Sequence, residues 1–157
     1  MTPENDKKLV EAFPLLYRDR YGKMTETCMC WGFECDDGWF QLIWELSEKL
    51  ENRIEELEKN GLCYCGHKHE LNCEECRCDQ HQQMHLCASQ VKEKYGTARV
   101  YLNFYDEQAD NFIDEAELKS ETTCETCGTA GCLMTMGRWV KTLCITCAEG
   151  TNYIPLK

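Results

Sequence analysis

No apolar run in this chain approaches the roughly 18 residues that a membrane span needs. The start, MTPENDKKLVEAF, has no apolar stretch of the kind a secretion signal carries. Basic residues are scarce: 17 Lys and Arg stand against 28 Asp and Glu, a formal net charge of −11. Nucleic-acid binding needs cations to displace counterions from phosphate, so direct binding to nucleic acid is not expected. A protein partner with a basic surface fits the charge better. Repeats and low-complexity segments are also missing.

The catalytic metal signatures are missing too. A zinc deaminase needs H-x-E followed by P-C-x-x-C. Here His69 and Glu70 are adjacent, and no proline precedes Cys73 or Cys124. A zinc protease needs H-E-x-x-H on a helix, and HELNC fails at its last position. A nuclease framed by two C-x2-C knuckles would hold catalytic histidines between them, and none lies between Cys127 and Cys144. A thioredoxin-like site wants one reactive C-x-x-C at a helix start, not four sulfurs at ribbon spacing. Carboxylates are plentiful, but on helix positions expected to face solvent. The chain reads as a non-enzyme.

What the chain does have is cysteine, 14 in 157 residues. With no signal sequence in view, a reducing cytoplasm is expected (a host cytoplasm if the gene is carried by a phage). There, cysteine clusters bind metal more often than they form disulfides. The stretch CYCGHKHELNCEECRCDQHQQMHLC, Cys63 to Cys87, contains all four histidines. That mixture favours Cys/His zinc ligation.

The sharpest pattern is C-terminal, in CETCGTAGCLMTMGRWVKTLCITC. Cys124 and Cys127 form one C-x2-C knuckle, and Cys144 and Cys147 form another. A hairpin through LMTMGRWVKTL returns the second pair to the first, which completes a tetrahedral zinc site. Cys132 is left over and is expected to be a buried thiol. In the middle stretch Cys63, Cys65, Cys73, Cys76, Cys78 and Cys87 join His67, His69, His81 and His85 as a pool of ten ligands. One pairing puts Cys63, Cys65, Cys73 and Cys76 on one ion and Cys78, His81, His85 and Cys87 on another. A cross-braced pairing is equally consistent. Cys28, Cys30 and Cys35 lack a fourth ligand of their own and could borrow His67 or His69, or else be plain thiols. Three to four Zn2+ per chain are expected. A metallothionein-like store is not, because Trp31, Trp39, Trp44 and Trp139 accompany a well-patterned helix. The clusters read as staples, in which metal binding energy becomes folding energy.

Periodicity supplies the rest. Thr2-Pro3-Glu4 reads as a helix start running to about Phe13. Asp36 or Asp37 is expected to cap a long helix over Gly38 to Asn60, with the stripe Trp39, Ile43, Leu46, Leu50, Ile54 and Leu57. Its acids, among them Glu45, Glu51 and Glu55, read as a solvated face with the i,i+4 pairs Glu45–Lys49 and Glu55–Lys59. Ala98, Val100, Leu102 and Phe104 alternate with polar residues as a strand, paired with Val91–Lys94 around Gly96. A second helix runs from about Asp106 to Ser120 with Ala109, Phe112, Ile113 and Ala116 inward. Asp110, Asp114 and Glu117 form an acidic stripe on it, a candidate partner-binding face. The expected fold is α+β: a small zinc-stapled domain with two main amphipathic helices, a short antiparallel hairpin and a C-terminal zinc ribbon. The expected division is 1–122, with the Cys/His-rich region 63–87 inserted, and 123–157.

The segments CMCWGFECDDGWFQLIWELSEKL, QVKEKYGTARVYL and TCETCG with GRWVKTLCITC resemble a group of small phage and bacterial proteins. Members of that group have a helix, a Lys-Tyr/Phe-Gly strand, a second helix and a terminal zinc knuckle. Against them, 63–87 looks like an elaboration. In size, acidity and metal content the chain also resembles zinc-bearing anti-CRISPR inhibitors of phages. That resemblance implies a protein–protein inhibitor that binds a CRISPR effector nuclease and blocks DNA loading. The alternative is a zinc-ribbon regulator that binds nucleic acid or acts in transcription, with Arg138, Lys141, Arg99 and Lys94 as its few cations.

Overall fold

The structure is a computed structural model and describes residues 1–60 and 85–156. Cys63, Cys65, His67, His69, Cys73, Cys76, Cys78 and His81 lie outside the described residues.

Helix α1 spans Pro3–Ala12, with Pro3 in the first turn as the sequence predicts. Thr2 does not cap it with its side chain. Its backbone N–H instead donates to Asp37 Oδ1 at 2.7 Å. Asp36 stands at the N-cap position of the turn leading into the long helix but makes no side-chain cap bond, and Asp37 binds Thr2 instead. That helix is entered through a 3-10 turn, Asp37–Trp39, and α2 then runs Phe40–Asn60. The predicted stripe faces the core: Trp39, Ile43, Leu46, Leu50, Ile54 and Leu57 are each no more than 4% exposed.

The polar face of α2 departs from the expectation. Glu51 is buried, and its two oxygens accept the backbone N–H groups of Leu15 and Leu16 at 2.9 and 2.8 Å. Those donors follow Pro14 and have left the α1 ladder, so a carboxylate is the partner that keeps them from being buried unpaired. Burial still raises the Glu51 pKa against these bonds. Glu55 and Lys59 pair as predicted, at 3.0 Å. Glu45 and Lys49 do not pair with each other; each reaches to another helix.

That helix is α3, Glu107–Ser120, capped by Asp106, whose Oδ1 accepts Ala109 N at 2.9 Å. Lys119 meets Glu45 at 2.6 Å and Glu115 meets Lys49 at 2.7 Å, so α3 lies antiparallel along α2. At the far end Arg53 grips the buried Asp106 with two parallel bonds, 3.1 and 2.8 Å. Ala109 and Ile113 enter the core, with Phe112 and Ala116 packed against it.

Strand β1 (Phe33–Glu34) pairs parallel with β2 (Ala88–Lys94), which pairs antiparallel with β3 (Thr97–Leu102). The hairpin turn is Tyr95–Gly96, both at positive φ (54° and 83°), the type I′ geometry whose twist matches the strands. Val91, Ala98 and Val100 face inward into the core. The parallel β1 was not visible in the sequence, because two residues show no alternation.

The second sheet has the order β5-β4-β6, with β4 at Cys132–Met136, β5 at Trp139–Leu143 and β6 at Ile154–Pro155. One helical turn, α4 (Ile145–Ala148), follows β5. The ribbon touches the β2–β3 turn. Thr142 Oγ1 donates to Gly96 O at 2.6 Å. Gly96 sits at a φ that a residue with a side chain rarely adopts, and a Cβ there would also stand 2.6 Å from Leu133 Cδ2, which would have to move.

Candidate metal centre

The first knuckle is a loop closed on itself. Cys124 N donates to Thr129 O, and Gly128 N donates to Cys124 O, each at 2.8 Å. Gly128 sits at φ 77°, which a residue with a side chain rarely adopts. The second knuckle is a helix cap: Cys144 Sγ accepts Cys147 N at 3.3 Å as α4 begins. The β4–β5 hairpin, with Cys132 opposite Leu143, brings the two knuckles together as the sequence predicts.

The ligand atoms of Cys124, Cys127, Cys144 and Cys147 all lie within 4.8 Å of one another. Cys127 Sγ and Cys144 Sγ are 3.6 Å apart, far longer than a disulfide. Four sulfurs about 2.3 Å from one tetrahedral ion would stand about 3.8 Å apart. The cluster therefore fits a metal ion such as zinc. Cys124 is buried, Cys144 and Cys147 are half-buried, and Cys127 is exposed.

Local donors prepare the sulfurs. The Thr129 hydroxyl, 3.1 Å away, and then the Thr129 backbone N–H lower the Cys127 pKa to about 6. The Cys147 N–H lowers Cys144. Hydrogen bonds with Cys127 and Cys144 raise Cys147. Four thiolates would satisfy a dication without water, so such a centre has no open position for substrate.

The centre is also gripped from outside the ribbon. A Cβ on Gly38 would lie 2.3 Å from Cys124 O, 2.4 Å from Glu125 O and 2.5 Å from Gly128 N. The Trp39 indole N–H donates to Thr123 O at 2.7 Å. Glu125, between the two cysteines of the first knuckle, is only 2% exposed. Its Oε1 accepts Asp36 N at 3.2 Å, and Lys141 Nζ stands 3.2 Å from both Glu125 Oε2 and Asp36 Oδ2. Sequence reading passed over Gly38, Glu125 and Thr129. Nothing local marks them: an acid inside a C-x2-C loop is ordinarily solvated.

Among the described residues, no other group of three or more such ligands comes within 4.8 Å. Cys28 is exposed at the start of a 3-10 turn, Cys30 is half-buried, and Cys35 is buried, which raises its thiol to about 12. His85 Nδ1 lies 2.7 Å from Glu58 Oε1. Cys87 is buried with its thiol 3.3 Å from Asp19 Oδ2; burial and then the Asp19 charge raise it to about 12. Cys132 is exposed rather than buried. The ribbon core is only Cys124, Met134 and Leu143 and does not reach the start of β4. On α3, Asp114 is exposed and Asp110 is half-buried, while Glu117 is tied to Arg99.

No family model, curated protein or solved structure matches this chain.

Proposed function

We propose that the chain is a non-enzymatic, zinc-stapled interaction protein. Its acidic α3 face engages a basic, nucleic-acid-binding surface on another protein. A CRISPR effector nuclease, inhibited by blocked DNA loading, is the partner implied by the resemblance to phage inhibitors. The observation that supports this reading is an imbalance on α3. Glu115 and Glu117 are matched by Lys49 and Arg99. Asp110 and Asp114, one turn apart, have no cation at ion-pair distance among the described residues. Burial first, and then the charges of Asp114 and Asp106, raise the Asp110 pKa. Like charges left together on a helix cost stability, and a cationic partner would relieve that cost.

Glu117 belongs to the proposed face, but its reversal would also set a lysine against Arg99. The cleaner test is D110K/D114K, which breaks no pair among the described residues. Pull-down from host lysate at low and high salt, followed by a DNA-loading assay on any captured nuclease, is the experiment. Capture should fall at high salt and be lost in D110K/D114K, with the fold retained. Full capture by a folded double variant would overturn the reading.

A second reading, the nucleic-acid-binding ribbon, draws on Trp139, which is 73% exposed at a hairpin tip beside the exposed Arg138. Exposed aromatics of this kind stack on single-stranded bases. A gel shift with single-stranded and duplex probes that is abolished by W139A would favour it.

A further inference from the structure

The contacts on the Cys124–Gly128 loop come from a part of the chain that supplies no ligand to the four-cysteine centre. Residues Asp36 to Trp39 precede α2, yet they hold the loop at Gly38, at Trp39 and at Asp36. The Gly38 backbone lies flat on it, closer than any side chain would allow. The fully buried Trp39 donates to Thr123 O. Asp36 N donates to Glu125. Lys141 joins Asp36 and Glu125 at a single cation. All these acceptors sit where the loop conformation puts them, and that conformation is what four-sulfur ligation would hold. Backbone bonds close the C-x2-C loop, but its apolar support is small, and its sulfurs are the groups that an ion would fix.

We propose that the four-cysteine centre is a metal-dependent clasp on the N-terminal end of α2. Loss of the ion frees Asp36–Trp39 and uncovers Cys35, while the middle of α2 stays folded. Cys35, now 6% exposed, is the residue next to the released segment. Metal occupancy thereby sets thiol access at the neighbouring Cys35. The inference rests on the reading that the four cysteines hold a metal ion. By linkage the coupling is reciprocal: whatever weakens the clasp must weaken metal retention by the same factor.

Two variants of the full chain test both directions, each compared with the zinc-loaded wild type. C127S/C144S removes two ligands from this centre alone. The Trp39 indole N–H, identified by its absence in W39F, should exchange with solvent at least about tenfold faster, and Cys35 should be alkylated faster by a similar factor. Amides of residues 46–57 should keep their protection. G38A leaves every ligand in place but forbids the close approach. A chelator should then expose Cys127 and Cys144 to alkylation at least about tenfold faster than in the wild type. W39F should do the same more weakly. The clasp is overturned if Trp39 and Cys35 do not respond to C127S/C144S. It is also overturned if residues 46–57 lose protection with them, or if G38A retains the ion as the wild type does. A wild type in which Cys127 and Cys144 are alkylated at once, before any chelator, would instead defeat the metal reading.

Discussion

The α2-centred body and the ribbon of β4, β5 and β6 are built on opposite terms. In the body, Leu9, Leu16, Met29, Ile43, Leu50, Ile54 and Val91 are essentially inaccessible to solvent and pack around one helix. Each such side chain contributes roughly 1.5–3 kcal/mol through burial. In the ribbon, the buried apolar core is Cys124, Met134 and Leu143, with Cys144, Cys147, Ala148 and Tyr153 partly buried against it. Trp139, Ile145 and Ile154 remain largely exposed. A core of that size cannot offset the chain entropy of some thirty ordered residues at about 1–2 kcal/mol each. The body therefore stands on hydrophobic burial, while the ribbon has little burial of its own and, on the metal reading, depends on its four sulfurs. Where the two meet at Gly38 and Gly128, backbone packs on backbone closely enough that only glycine serves.

The largest test of this contrast is removal of ribbon ligands. C124S/C144S should carry one ion fewer than the wild type, and the ribbon should unfold. The lost binding is on the order of 10 kcal/mol, by analogy with small zinc domains. Elemental analysis with hydrogen exchange over residues 123–153 measures both. A protected ribbon in the metal-free variant would break the contrast.

Next in size is a lesion in the body. L50A removes a fully buried side chain from the centre of α2 and should cost about 2–5 kcal/mol in chemical denaturation. Zinc content should be unchanged, since no ligand of the ribbon packs on Leu50. Loss of the ion along with stability would show that the two regions fold as one unit.

The smallest effect sharpens the contrast through pH. Burial of Asp106 works to raise its pKa, but the Arg53 hydrogen bonds and the Ala109 N–H outweigh it and hold the carboxyl below its usual value. A depressed folded value stabilises the body above the unfolded carboxylate pKa of about 3.9. That stabilisation is lost as pH falls through the folded value. D106N should cost about 2 kcal/mol at neutral pH and flatten the acid limb of the stability curve. An unchanged acid limb would show that the Arg53 pair contributes nothing.

Much of this was legible one segment at a time. The α2 stripe from Trp39 to Leu57 was visible because a 3.6-residue period leaves six large apolar residues on one side. The hairpin around Gly96 and the start of α3 at Asp106 were visible for similarly local reasons. The four cysteines were visible because two short knuckles separated by a hairpin make a tetrahedron from sequence spacing alone. Glu51 was misjudged because its polarity said surface, while the donors it serves, Leu15 and Leu16, lie more than thirty residues away. Glu45 and Lys49 satisfy the i,i+4 rule on paper, yet Lys119 and Glu115 lie closer in the folded chain. Cys132 was expected inside because free cysteines usually are, but the ribbon has no second layer at that point.

The amino-acid sequence by itself determined the elements and the set of four ribbon cysteines, because periods, turns and ligand spacings act over a few residues. It also determined the acidic balance that directs the functional reading. Only the tertiary structure decided which acids stay free. Asp110 and Asp114 remain without a cation among the described residues, whereas Glu115 and Glu117 are taken by residues from another helix and a strand. Only the tertiary structure, too, set Gly38 against Gly128 and joined the metal centre to the start of α2. Contacts between residues about ninety positions apart leave no period in the sequence, since they depend on how whole elements dock.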